Sequence, residues 1–215
     1  MGMTRGFQAP AADCRLCPRL AGYRDVNRAG NPAWFNGAVP SFGPLDAQLL
    51  VVGLAPGVRG ANRTGRPFTG DFAGVLLYRT LLKYGLAEGD YAADPADGLV
   101  LKNCRVTNAV RCVPPANLPT PAEVSGCNSF LAEELAAMPR LQIVLALGGV
   151  AHKAVLTARG LKASHTRFIH GAVAALPGGL LLADSYHVSR LNTNTGRLNT
   201  PMFEAVIMDI LTRIT

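Results

Sequence analysis

Leu49-Leu50-Val51-Val52 is a short aliphatic run, and it empties into Gly53-Leu54-Ala55-Pro56-Gly57 with no charged residue between. A run of that length, bounded by glycine, reads as a strand covered on both faces. The chain then stays rich in glycine, proline and polar side chains as far as Phe68-Thr69-Gly70-Asp71. A helical pattern opens at Phe72, with Leu76, Leu77, Leu81 and Leu82 on one side and Gly85 just past its end. Buried strand, loop and helix in that order form the opening unit of a parallel sheet. In such sheets ligands bind outside the carboxyl ends of the strands, so this loop is where a site is expected.

The unit recurs. Leu99 to Val106 reads as a second strand, followed by Thr107-Asn108 and an irregular Ala109–Asn117 segment. Thr120-Pro121-Ala122-Glu123 has the form of a capping box with proline in the first turn, and the helix it opens carries Val124, Cys127, Leu131, Leu135 and Met138 on one face. Leu141 to Leu147 is a third strand, and Gly148-Gly149 leads into a helix through Val150, Ala154 and Val155. Leu180 to Ala183 is a fourth, running into Asp184-Ser185-Tyr186-His187. Thr200-Pro201 starts a last helix with Phe203, Val206, Ile207, Ile210, Leu211 and Ile214 inward. Residues 88–98 are acidic and turn-rich and read as an exposed loop, and residues 160–179 are basic and polar. The pattern predicts one α/β domain over residues 1–215, a parallel sheet with helices on both faces. Three loops should meet on one rim: the opening loop, Asn108–Asn117 and His187–Arg197.

A chain of 215 residues with 49% hydrophobic and 16% charged residues supports one sizeable core. Its formal charge of +7 suits an anionic partner, nucleic acid above all. Met1 to Pro10 lacks the apolar centre of a secretory signal, and Ile143 to Val150 is too short to span a bilayer, so a cytoplasmic, membrane-free protein is expected. Cysteines in a reducing compartment are read for metal rather than for disulfides. Cys14-x-x-Cys17 lies far upstream of Cys112 and Cys127, and four such thiolates bind zinc or an iron–sulfur cluster. The spacing does not choose between them. Cys104, inside the second strand, reads as a buried apolar residue. Trp34 and Phe35, in a long glycine- and proline-rich loop, either cover the site, stack on a base or plug the edge of the core.

The opening loop has neither the G-x-x-x-x-G-K-[ST] nor the G-x-G-x-x-G pattern, so it is not read as a phosphate cradle. Glycine there permits close approach of backbone to a ligand. Asp71 stands where a helix begins: either it caps that helix, or its carboxylate orients a water and offsets a developing cation. His187 lies just past a strand beside serine and arginine. The run Ser189-Arg190-Leu191-Asn192 through Arg197 combines phosphate-contacting groups with one apolar wedge.

These residues resemble the iron–sulfur uracil-DNA glycosylases, most closely family 5 (b-type). The resemblance rests on Cys14-x-x-Cys17, Gly53-Leu54-Ala55-Pro56-Gly57, the run from Gly60 to Asp71, Arg111-Cys112-Val113-Pro114-Pro115-Ala116-Asn117 and His187-Val188-Ser189-Arg190, in order along nearly the whole chain. Family-4 enzymes are similar but carry a glutamate where this chain has Leu54. The resemblance implies a three-layer α/β/α sandwich around a four-stranded parallel sheet, and a structural [4Fe-4S] cluster on Cys14, Cys17, Cys112 and Cys127. It implies a monomeric enzyme that removes deaminated bases from double- and single-stranded DNA: uracil, and in family 5 also hypoxanthine, xanthine and modified cytosines. Asn108 departs from the family-5 pattern, where alanine is common, and so bears on substrate breadth.

On this reading Phe68 stacks on the extruded base, and Asn108 or Asn117 reads its edge beside the backbone of Gly53, Leu54, Ala55 and Gly57. His187 stabilises negative charge on the leaving base, and Asp71 manages the water. Ser189, Arg190, Leu191, Asn192 and Arg197 face DNA. The alternatives are a non-catalytic metal-cluster protein that binds nucleic acid, an enzyme whose cluster is the chemistry, and a nucleotide hydrolase.

Overall fold

The computed structural model describes residues 7–214. In chain order the elements are α1 (Pro18–Gly30), β1 (Leu49–Gly53), α2 (Ala61–Thr64), α3 (Phe72–Lys83), β2 (Ala87–Glu88), β3 (Val100–Leu101), β4 (Cys104–Asn108), α4 (Pro121–Ala136), β5 (Ile143–Leu147), α5 (Gly149–Ala158), β6 (Val173–Ala175), β7 (Leu181–Ser185), α6 (Arg190–Asn194) and α7 (Thr200–Arg213). Residues 7–11 are irregular, and the first six lie outside the described residues.

The central sheet runs β4-β1-β5-β7-β6. The first three pairings are parallel, with Gly53 opposite Asn108 at the carboxyl end of β1 and β4. Every residue of β1, β4 and β5 is buried; β1 and β5 read as unbroken apolar runs for that reason, whereas β4 buries Arg105, Thr107 and Asn108 as well. Alternation along β1 sorts the two faces. Leu49 and Val51 pack with Leu77, Leu81, Phe203 and Ile207 of α3 and α7, whereas Leu50 and Val52 pack with Leu131, Leu135, Ala154 and Val155 of α4 and α5. This is the expected α/β/α sandwich.

The sheet has five strands, not four. β6 adds an antiparallel edge against β7, with Val173 opposite Ala183. It is three residues long and none of them is buried, and it lies in the short apolar run Ala172 to Leu176 within a segment expected to be basic and polar. The predicted Leu99–Val106 strand is also two elements. Asn103, at φ 49°, breaks it, and β3 turns away to pair antiparallel with β2 while β4 enters the main sheet. The capping box is present as read: Thr120 accepts from the Glu123 amide and Glu123 accepts from the Thr120 amide at 2.7 Å. Among the described residues no helix is long and apolar enough to cross a membrane.

Candidate active site

The carboxyl ends of β1, β4 and β7 converge on a small pocket lined by Ala55, Pro56, Gly57, Ala61, Phe68, Asp71, Ala73, Asn108 and His187. Residues as far apart in sequence as Ala55 and His187 thus share one concavity, as the parallel topology requires. Gly53 lies beneath it. A Cβ there would overlap both the Asn108 carboxamide oxygen and the Phe68 ring, so glycine is what lets these two groups close over the strand end. The carbonyls of Gly53 and Leu54 accept from the amides of Ala109 and Val110, which welds the first loop to the second.

Phe68 adopts φ 51°, a left-handed conformation costly for an aromatic residue. Its surroundings hold it there. Tyr78 donates to the preceding carbonyl of Pro67 at 2.6 Å, and Tyr91 donates to the Phe68 carbonyl at 3.1 Å. Arg66 makes a bidentate pair with Asp97, both bonds 2.8 Å, and donates to Thr69 Oγ1. Its guanidinium also lies near the rings of Phe42, Tyr78 and Tyr91. Burial alone would raise the Asp97 carboxyl, but hydrogen bonds from Arg66 and from the Ala92 and Leu99 amides outweigh it and hold Asp97 down at about 2. The segment expected as an exposed loop therefore supplies a buried anchor for the pocket floor. Phe68 is 6% exposed and presents its ring to the pocket.

The two carboxylate oxygens of Asp71 have different surroundings. Oδ1 accepts from the Gly74 amide at 3.3 Å and caps α3. Oδ2 lies against Gly57 and Gly60, and a Cβ on Gly60 would overlap the carboxylate. Burial raises the Asp71 pKa, partly offset by the Gly74 and Ala73 amides. Opposite it, the His187 ring lies 6.1 Å from that of Phe68 at 30°. Burial pushes His187 down to about 4, so its imidazole is neutral at pH 7 and offers one N–H. Among the described residues the side chains of Asn108 and His187 make no hydrogen bond, so both are available to a ligand in the pocket they line.

The other predicted residues fall into place unevenly. Ala55 and Gly57 line the pocket; Leu54 is half-buried beside it. Asn117 does not reach it: after Val113 the chain enters a short turn over Pro115–Asn117 and leaves Asn117 exposed at φ 57°. Ser189 caps α6 by accepting from the Asn192 amide, and Asn192 donates to the His187 carbonyl at 2.8 Å. These two side chains organise the loop itself. Leu191 stands 71% exposed at its tip, with the Arg190 guanidinium 5.3 Å from the Phe72 ring. Arg197 lies 4.5 Å over Tyr186. Trp34 and Phe35 do not line the pocket. Sequence reasoning missed Ala61, Ala73 and the supporting Tyr91 and Asp97, which carry no pattern beyond ordinary helix or loop composition.

Cys14, Cys17, Cys112 and Cys127 line a second cavity with Leu20, Val110 and Phe130. Among the described residues no group of three or more His, Cys, Asp or Glu side chains is closed around a single ion position. Arg24 is wholly buried beside them, donating to Cys112 Sγ at 3.3 Å and to the Cys14 carbonyl at 2.9 Å. Its Nε has no partner and, among the described residues, it has no carboxylate partner either. A buried guanidinium facing sulfur fits a site that carries negative charge when its thiols are ionised. Burial raises Cys17, Cys112 and Cys127, Cys112 to about 11, so ionisation there calls for a bound cation. Cys104 is wholly buried elsewhere in the core, as expected.

The sequence model of the Uracil DNA glycosylase superfamily matches residues 40–211, which contain the whole pocket. The chain is 47% identical over 202 residues to a Type-5 uracil-DNA glycosylase of Thermus thermophilus, covering 91% of each chain. It is 42% identical over 212 residues to one from Mycobacterium leprae, covering 94% of this chain and 92% of that one. A third, from Pyrobaculum aerophilum, is 42% identical over 199 residues, covering 91% and 86%. With the family model and these relatives in agreement, the chain belongs to the uracil-DNA glycosylase superfamily and sits among its type-5 members.

Proposed function

We propose that this protein is a DNA repair glycosylase that extrudes uracil, and in addition hypoxanthine, xanthine and modified cytosines, and hydrolyses the N-glycosidic bond to leave an abasic site. The observation that carries the reading is the pairing of Asp71 and neutral His187 across one pocket floored by Phe68. Cleavage builds positive charge on the sugar and negative charge on the departing base. Asp71 Oδ2 is fixed by the cap on Oδ1, so it can hold a water and favour the cationic sugar without reorganising. His187 donates its N–H to the oxygen of the leaving base, as a hydrogen bond from a neutral ring that keeps its proton. Phe68 stacks on the base and the Asn108 carboxamide reads its edge. Leu191 enters the base stack where the nucleotide leaves, with Arg190 and Arg197 toward phosphate. The formal charge of +7 supports DNA as the partner, single- or double-stranded, with the protein acting as a monomer.

Cys14, Cys17, Cys112 and Cys127 would hold a [4Fe-4S] cluster. Held there, the group would serve as a cross-link and not as an electron carrier, since base hydrolysis involves no redox step. The four thiolates would tie the α1 lead-in, the segment after β4 and α4 into one block.

The test is incubation of purified protein, without added cofactor, with labelled oligonucleotides carrying uracil, hypoxanthine, xanthine or no lesion, followed by alkali. Lesion-dependent strand breaks are expected. Duplex binding with no breaks on any lesion would overturn the reading and leave a non-catalytic nucleic-acid-binding protein. Iron and acid-labile sulfide in protein purified without oxygen are expected; a colourless zinc protein would overturn the cluster assignment.

A further inference from the structure

The wall that carries His187 depends on a second histidine. β6 and β7 pair in antiparallel register from Leu181 to Ala183, and the ladder continues as the Asp184 amide donates to Ala172 O and the Gly171 amide to Asp184 O. Beyond Ser185 the backbone partner runs out. The next outward amide, that of Tyr186, donates to His170 Nδ1 at 3.2 Å. An imidazole nitrogen accepts only when it carries no proton, so this bond fixes the His170 tautomer with its proton on Nε2. The same ring stacks on Tyr186, centroids 4.7 Å apart and planes within 10°. Arg197 lies 4.5 Å over that tyrosine. Tyr186 directly precedes His187, and Arg197 follows α6, so one small stack grips both ends of the segment that bears His187 and the Leu191 tip.

The support behind His170 is itself fixed. Asp184 Oδ2 accepts from the Ile169 amide at 3.2 Å, and Asp184 Oδ1 lies 2.8 Å from His152 Nδ1. His152 Nε2 is 3.0 Å from the Thr166 carbonyl. Phe168 fills the space between, near both His152 and Tyr186. The titratable and charged groups around His170 are thus Tyr186 and Arg197 across the stack, Asp184 from β7, His152 from α5 and Arg167 on its own loop.

We propose that neutral His170 is a positioning residue for the glycosylase reaction: its Nδ1 replaces a missing strand carbonyl and sets the direction in which His187 leaves the sheet. The proposal rests on the glycosylase reading of the pocket. A proton on Nδ1 would set two donors against each other and place a second cation on the ring that Arg197 already covers. Burial lowers His170, which keeps the acceptor form at neutral pH. Acid should therefore loosen the His187 wall as His170 takes up its second proton.

Two variants separate the acceptor from the stack. His170→Asn keeps an oxygen acceptor that does not titrate, and His170→Phe keeps a ring that cannot accept. Single-turnover rate and KM on a uracil oligonucleotide, from pH 5 to 8, are compared with wild type. Expected is an about ten-fold loss of turnover in His170→Phe with KM little changed, the cost of a misdirected catalytic group. Turnover in His170→Asn should approach wild type at neutral pH and decline less on the acid side. Hydrogen exchange at the 186–188 amides, which needs no activity, should quicken about ten-fold in His170→Phe as one bond is lost. Equal turnover and exchange in wild type and His170→Phe, or an identical acid decline in His170→Asn, would overturn the proposal. Absence of uracil release by wild type would instead overturn the glycosylase reading, and the exchange comparison would still decide whether His170 sets the segment.

Discussion

The two walls of the pocket are built on different principles. The floor, from Gly53 to Asp71, is held by a buried ion pair, by tyrosine hydroxyls on main-chain carbonyls and by glycines packed directly on functional side chains. The opposite wall, from Tyr186 to Arg197, hangs on single hydrogen bonds and on stacked rings, with an exposed leucine at its tip. The floor carries the strained residue, Phe68, and the group that must not move, Asp71. On the proposed function, the other wall carries the groups that would meet DNA. Strain is stored where many bonds over-determine the backbone, and adaptability is placed where few do.

The comparison breaks most sharply at Asp71. Asp71→Asn should lower the cleavage rate by about 10²–10⁴, the scale for a positioned acid–base group, while stability stays within about 1 kcal/mol because asparagine caps a helix as well as aspartate. Denaturant melts beside single-turnover assays check both halves. A loss of several kcal/mol would show that Asp71 is a cap before it is a catalyst.

Next comes the anchor beneath the floor. Asp97→Ala leaves Arg66 buried and unpaired, and should cost about 3–5 kcal/mol. Because Asp97 is held at about 2, wild type keeps this contribution above the ordinary carboxylate range and loses it as pH falls from about 4 toward 2. An Asp97→Ala protein as stable as wild type at pH 7 would mean the floor does not depend on the pair.

His187 sets a different window. Its folded pKa of about 4 lies below the value near 6.5 of an unfolded chain, so the unfolded state takes the proton first. Stability is therefore full above pH 6.5 and falls by as much as ~3 kcal/mol between there and pH 4. Asp71 acts in the opposite sense, since a raised carboxyl binds its proton more readily in the folded state and adds stability as pH falls. Melts of His187→Gln against wild type from pH 7 to 4.5 isolate the histidine part. Parallel curves would contradict a buried neutral imidazole.

The smallest effect belongs to the tip. Leu191→Ala should slow uracil release from duplex by about ten-fold, just under the ~1.5–3 kcal/mol that full burial of a leucine contributes, and leave single-stranded substrate unaffected. Equal loss on both substrates would assign Leu191 to packing rather than to the base stack.

Much of this molecule was legible before its structure. β1 and β5 announced themselves because both are buried on two faces and wholly apolar apart from the closing glycine of β1, and the Thr120–Glu123 box marked the start of α4 to the residue. Asp71 and His187 were found because topology places strand ends together. What stayed hidden was long-range and polar. Arg66 and Asp97 pair across 31 residues, His152 and Asp184 across 32, and neither pair leaves a periodic trace. β6 is too short and too exposed to show a pattern. Asn117 was drawn toward the pocket by its place in a motif, and two left-handed residues, Ala116 and itself, keep it outside.

Gly74, in the first turn of α3, gives the two walls their division of labour. A side chain there would strike the Phe68 carbonyl and the Tyr91 hydroxyl, so helix and floor meet backbone to backbone with nothing compliant between. They can only travel as one piece. A base too large for the cavity must then find its room by pushing back the wall that holds His187. Oversized bases should consequently enter and bind yet react slowly, so that discrimination by size appears in turnover and not in affinity. Comparing KM with single-turnover rate for uracil and the larger hypoxanthine measures this, and a penalty carried by KM alone would refute it.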